Sequence, residues 1–334
     1  MNSYKSNIKI DKINNEIYEI KYKNSKYENL FLDNKNLIPN FNHNNLSFNI
    51  YNTKSSFVNA IRRCIIDELY IKTLYYDIVE FSSDDKFLLS DFIQNRIQLL
   101  SIKQDILQEK KFSLNVYNNT TKIIPIKSNS IINQDDKDTT IYFNQNIKLC
   151  DLKPNKSLNI NNIMIKSEYG YNNNIYSIGK ASFEVINLDM DKNQSLNTDA
   201  SDFTFYVYSN GNIHPNEILI KTVETLTERL DNINNLIKSY NEDELNNDEM
   251  IINKNEKISS YYIKNEYHTL GNLLIDYMYE LDTTTKLLNY NNDHPSKNEI
   301  TIKTDNPDSD NLFYQAISNI KTDLQFIKNT FILN

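Results

Sequence analysis

Histidine, cysteine and arginine are the scarce reactive side chains here, and their spacing limits the chemistry open to the chain. Four histidines and two cysteines occur in 334 residues. His268 and His294 belong to the residue type that serves as a base or metal ligand. His268, however, stands just before Thr269, a suitable helix N-cap, and before Gly271, which lets a neighbouring backbone approach. His294-Pro295 reads as a turn into a strand. No third ligand or nucleophile follows either histidine at a recognisable spacing. Asp84-Asp85 and Asp135-Asp136 sit in turn-like contexts and read as solvated pairs. Cys64 and Cys150 form no C-x-x-C pair, so neither a sequence-local zinc site nor a disulfide framework is expected. The reading is therefore non-catalytic, with no metal and no cofactor. Arg62, Arg63, Arg96 and Arg229 are the only arginines in a chain that otherwise uses lysine. A guanidinium offers a planar fork of donors that lysine lacks. Arg62 or Arg63 is expected to reach a carboxylate or carbonyls on another protein, and Arg96 to do the same or to brace the fold from within.

The elements that must position these residues follow from periodicity. Leu46 to Tyr51 alternates apolar and polar, as a half-buried strand does. A helix with Thr53 as N-cap should follow, carrying Phe57, Ile61, Ile65 and Leu69 on one face. A strand near Thr73 to Phe81 leads to a second helix, capped by Ser90, with Phe92, Ile93, Ile97 and Leu100 inward. From about 105 to 200 short alternating runs such as Leu158 to Ile165 dominate, broken by turns such as Tyr171 to Asn174. After the strand Phe203 to Val207, Pro215 suits the first position of a helix. That helix places Leu219, Val223, Leu226, Leu230, Ile233, Ile237 and Tyr240 in a four-and-three seam made for lengthwise packing. Residues 241–257 are acidic and Asn-rich and read as a linker, although Met250-Ile251-Ile252 interrupts them. Beyond, a strand at Tyr261 to Lys264 precedes a helix with Leu270, Leu273, Leu274, Tyr277, Met278 and Leu281 inward. The strand Glu299 to Thr304 then precedes a helix with Phe313, Ile317, Ile320, Leu324, Ile327 and Phe331 in a second seam. Before all of this, Ile8, Ile10, Ile17, Ile20 and Tyr22 suggest a short strand pair.

Composition excludes several classes. Hydrophobic residues are 39% and aromatics 11%, so the chain can build a core. The net charge of −8 with no basic stripe argues against direct nucleic-acid binding. The N-terminus has no apolar signal core and no run reaches a membrane span, so a soluble intracellular protein is expected. Asn, Ile, Lys and Tyr dominate, whereas Gly (4) and Pro (6) are rare. This is the coding bias of an AT-rich genome, such as many large DNA viruses carry.

Two motifs make a family resemblance. Asn59-Ala60-Ile61-Arg62-Arg63, then Asp91-Phe92-Ile93 to Arg96 and Leu99, resembles the N-x-x-R-R and D-x-F-I-x-x-R-x-x-L block of the larger alpha-like subunit of cellular RNA polymerases, the third-largest subunit. Asp151 to Leu158 resembles that subunit's L-x-x-G-Q-x-L turn with Asn155 in place of Gly, and Phe203 to Leu230 its return strand and helix. Glu266-Tyr267-His268-Thr269-Leu270-Gly271-Asn272-Leu273 resembles the E-x-H-T-L-G-N-L motif of the small, eleventh-type subunit, and Asp293-His294-Pro295 a second motif of it. The chain is similar to both subunits fused, as large DNA viruses carry them. Cellular relatives hold zinc or an iron–sulfur cluster in the insertion through several cysteines, whereas this chain has Cys150 alone there.

The resemblance implies an α+β fold of two docked alpha-subunit-type modules, antiparallel strands plus long helices, with a β-rich domain inserted in the first. The expected division is an N-terminal extension (1–45), a first module (46–104 and 200–240), the insertion (105–199), a linker (241–257) and a second module (258–334). Phe57, Ile61, Ile65, Leu219, Val223, Leu226, Leu230, Leu270, Gly271, Leu274, Phe313, Ile317, Ile320 and Leu324 are the expected dimerisation residues. Asn59, Arg62, Arg63 and Arg96 are the expected contacts to other subunits. The implied role is an assembly platform that binds the largest and second-largest polymerase subunits, with small zinc-binding subunits nearby, and that meets nucleic acid only through the complex and no membrane. No Asp-rich magnesium motif is present, so catalysis belongs to another chain. The expected location is the host cytoplasm (a viral factory) and the virion, with the nucleus also open. The competing reading is a structural scaffold of a viral particle with the same fold; a third, an enzyme with a metal or histidine site, is testable by metal assay.

Overall fold

The computed structural model describes residues 4–18, 43–100, 102, 109–134, 147–170, 177–186, 201–209, 213–241, 250–255, 257–292 and 299–332. In chain order the strands are β1 (Lys9–Tyr18), β2 (His43–Tyr51), β3 (Tyr70–Tyr75), β4 (Phe81–Ser83), β5 (Phe112–Tyr117), β6 (Ile124–Lys127), β7 (Ile132–Asn133), β8 (Lys148–Leu152), β9 (Ser157–Tyr169), β10 (Gly179–Val185), β11 (Phe203–Ser209), β12 (Met250–Lys254), β13 (Ser259–Lys264), β14 (Leu288–Asn291) and β15 (Glu299–Thr304). The helices are α1 (Ser55–Arg63), α2 (Ser90–Gln98), α3 (Pro215–Asn241), α4 (His268–Leu281) and α5 (Ser309–Ile332). The fold is α+β, and among the described residues every strand pairing is antiparallel.

Two four-stranded sheets share one plan. The first runs β1-β2-β11-β10 and the second β12-β13-β15-β14. In each, the second strand leads into a short helix and the third into a long one. Alternation explains why one face of each sheet is buried: Leu46, Phe48 and Ile50 of β2, Phe203, Phe205 and Val207 of β11, and Tyr261 and Ile263 of β13 all point into one core. α3 and α5 lie along each other over these faces and α1 packs on α4. The seams Leu219 to Ile237 and Phe313 to Phe331 are buried in that core. At roughly 25 cal/mol per Å² of apolar surface, such lengthwise burial is the main force holding the halves together.

A second core lies apart. β9 is its spine, pairing with β3, β4 and β5. Leu74, Tyr76, Ile93, Ile97, Phe112, Leu114, Leu158 and Ile160 fill it. Asn155 adopts φ 55°, the left-handed turn that Asn tolerates better than most residues.

Several expectations change. β10 belongs to the first sheet, so the first module reaches back to Gly179, whereas α2 packs into the second core. β1 pairs with β2 from Lys9 to Tyr18, which makes part of the supposed extension a strand of the first module. Ile20 and Tyr22 lie outside the described residues. Residues Met250 to Lys254, inside the expected linker, form β12 on the second sheet because Met250 and Ile252 alternate inward. The stretch Thr73 to Phe81 divides into β3, a 3₁₀ turn at Ile78–Glu80 and β4. Thr53, Ser90 and Thr269 are not N-caps; Lys54, Leu89 and Tyr267 hold those positions without side-chain cap bonds. Phe92, Tyr240 and Leu281 are exposed rather than inward. Phe92 lies under the Arg96 guanidinium, and the Tyr240 hydroxyl donates to Ile252 O at 2.6 Å. Asp85 is buried, not solvated: its carboxylate accepts from Phe87 N at 3.1 Å, with Lys153 3.6 Å away. His294, the Asp135-Asp136 pair and the turn at Tyr171 lie outside the described residues.

Candidate functional site: the joint between the halves

α1 begins after Asn52, whose φ of 56° turns the chain off β2. Its spacing of Phe57 and Ile61 buries one face against α4. The helix then widens into a π turn, Cys64–Glu68, which buries Ile65 and Glu68. α4 begins in the same way after Asn265, at φ 61°. Leu270 and Leu274 point into the shared core, and Gly271 receives the ring of Tyr290: a Cβ there would lie 2.7 Å from Tyr290 Cδ2. The close neighbour is thus a side chain, not the backbone expected. All the residues assigned to dimerisation are buried, and all but Gly271, which packs on Tyr290 of its own half, belong to the shared apolar core.

A charged network crosses the apolar joint. Arg229 of α3 donates from Nη2 to Glu266 Oε2 at 2.6 Å and from Nε to Oε1 at 3.3 Å. Its Nη1 donates to Glu68 Oε2. The Thr269 hydroxyl donates to the other Glu68 oxygen, and Arg63 Nε donates to Thr269 Oγ1 at 2.9 Å. One guanidinium therefore joins a carboxylate of each half. Burial opposes the Arg229 charge, but Glu266 and Glu68 more than offset it and hold its pKa above the ordinary value. Burial likewise pushes the Glu266 carboxyl up, with Arg229 pulling the other way. A buried carboxylate needs such a partner, because an uncompensated one is costly.

Elsewhere along the joint, Asp323 of α5 accepts from the Tyr277 hydroxyl at 2.5 Å and the Tyr4 hydroxyl at 3.1 Å. Lys54 Nζ donates to Asp276 O at 2.6 Å and pairs with Glu280 at 2.8 Å. On the rim, Lys328 meets Glu224 at 2.7 Å and Lys321 meets Asp231 at 2.5 Å, both between α5 and α3.

The residues expected to reach other proteins are placed as follows. Arg62 donates from Nε and Nη2 to Asn59 Oδ1, at 3.0 and 2.9 Å, on a half-buried face of α1. Arg63 spans the joint through Thr269. Arg96 is exposed and donates to Lys148 O of its own chain at 2.9 Å. His268 stands edge-on to Tyr290, with ring centroids 5.8 Å apart. Sequence reasoning missed Glu68, Arg229, Asp323 and the role of Glu266. The signal existed for one of them: Arg229 is the fourth arginine of a lysine-rich chain, and the argument that singled out the other three applies to it.

Comparison with known proteins fits two docked halves. The RNA polymerase Rpb3/Rpb11 dimerisation domain matches residues 47–230. The chain belongs to this family. A second match to an Rpb3/Rpb11 dimerisation domain covers residues 259–330, so one chain carries the module twice. Membership implies association with other RNA polymerase subunits. No curated protein matches the chain.

Proposed function

We propose that the chain is the non-catalytic assembly platform of a multisubunit DNA-directed RNA polymerase, an alpha-like pair in one polypeptide on which the largest and second-largest subunits assemble. The observation that carries this reading is the double occurrence of the Rpb3/Rpb11 dimerisation domain in halves that share one continuous core. Binding energy and geometry are then the whole mechanism. Linking the halves makes their pairing unimolecular and raises their effective concentration. Arg62, Arg63 and Asn59 of α1 and the exposed Arg96 of α2 are the proposed contacts to the large subunits, Arg63 also bonding Thr269 across the joint. Small zinc-binding subunits sit nearby, and nucleic acid is met only through the complex. The coding bias supports a large DNA virus as the source, with action in the host cytoplasm and the virion, the nucleus being the other candidate compartment.

The test is a tagged pull-down from the source cells at moderate salt, read by mass spectrometry. Two large chains in equal amounts, one with an Asp-rich catalytic motif, are expected. Return of the protein alone or with capsid components would replace this reading with the viral scaffold. Arg62→Ala should lower the yield of the large chains while leaving the unfolding temperature of the purified protein unchanged.

A further inference from the structure

The halves can be equated position by position. Asn52 and Asn265 take the same left-handed conformation directly after β2 and β13. That sets Thr53 on Glu266, Ser56 on Thr269 and Arg63 on Asp276, and it equates the two helix N-caps, Lys54 and Tyr267. The long helices start at Pro215 and Ser309. Their seams then superimpose Leu219 on Phe313, Val223 on Ile317, Leu226 on Ile320, Leu230 on Leu324 and Ile237 on Phe331. In this register Arg229 falls on Asp323. Equivalent positions of equivalent helices, Arg229 partly buried and Asp323 fully so, carry opposite charges.

We infer that this charge reversal makes the joint heterotypic: it selects a first half for a second half and rejects a second copy of either. The inference concerns pairing alone and does not depend on which subunits the pair binds. The apolar seams select less sharply, because both are largely aliphatic rows that differ mainly where Leu219 and Ile237 of one match Phe313 and Phe331 of the other. Two second halves in the same geometry would set Glu266 of one against Asp323 of the other, with Asp276 where Arg63 now stands. Buried carboxylates would face each other without a cation, and Tyr4, which belongs to the first half and now donates to Asp323, would be missing. Two first halves would set Arg229 against Thr53 and lose the two-point bond to Glu266. Repulsion built against the wrong partner is how closely similar surfaces acquire specificity.

The test uses the full chain with a protease site inserted between α3 and β12. After cleavage the complex is taken through urea and dilution, and native mass spectrometry reads the composition of the pairs. The wild type is expected to return only pairs of one half of each kind, and so is Arg229→Lys, which keeps the charge. Glu266→Thr combined with Asp323→Asn should raise pairs of two second halves by about tenfold or more. If that variant fails to refold, Glu266→Gln, which alters charge at constant shape, is expected to move the distribution in the same direction. Like-with-like pairs at statistical abundance in the wild type would overturn the inference. So would charge-removing variants that refold and stay as strictly heterotypic as the wild type.

Discussion

Arg229 is the residue on which the joint turns, because its fork satisfies a carboxylate from each half. Arg229→Met should leave Glu266 buried without a guanidinium, Glu68 keeping only that of Arg63 at 3.8 Å, and cost about 3–5 kcal/mol in urea denaturation, of which Lys at the same position recovers only part. Gly271→Ala tests the packing beside it: the new methyl meets the Tyr290 ring, and a loss of roughly 1–3 kcal/mol is expected from equilibrium unfolding. The two free thiols give a probe of the two cores. Burial pushes the Cys150 thiol up to about 11 and the Cys64 thiol well above its ordinary value. Thiolate is therefore scarcer at pH 8 than for a free cysteine, and both residues should resist a disulfide reagent until the chain unfolds. Little of this network is legible in sequence, since Arg63 meets Thr269 and Glu68 meets Arg229 across long stretches of chain. What is legible is residue economy, the choice of Arg where Lys is the rule.

The long helices are the elements most plainly written in the chain. Every seam residue from Leu219 to Ile237 and from Phe313 to Phe331 is buried, as the four-and-three spacing predicts. Leu230→Ala or Leu324→Ala should each cost about 2–5 kcal/mol, and because one core serves both halves, the chain should still unfold in a single calorimetric transition. Periodicity fails at the ends of elements. Tyr240 and Leu281 continue the pattern past the point where a facing surface exists, and both are exposed. It also fails for short strands inside polar runs. β12 alternates Met250 and Ile252 inward, but five residues in an Asn-rich stretch weigh less than the composition around them. For β1 the strand is legible from Ile8, Ile10 and Ile17, but its pairing with β2 is not. The insertion was legible as β-rich from its turns, whereas the capture of α2 by its core depends on β9, whose partners β3 and β5 come from distant parts of the chain.

At the scale of the molecule, one strand order serves both halves, and the two are held by an apolar core, a buried charge network and ion pairs on the rim. The central claim is that the alpha-like pair forms within one chain. A zero-length carbodiimide coupling tests it directly, because Lys328–Glu224 and Lys321–Asp231 place amines against carboxylates across the joint. Equal amounts of isotope-labelled and unlabelled protein would be mixed, coupled and digested. The account predicts both cross-links, each within a single isotope class. Cross-links that mix the classes, or the absence of both, would contradict it.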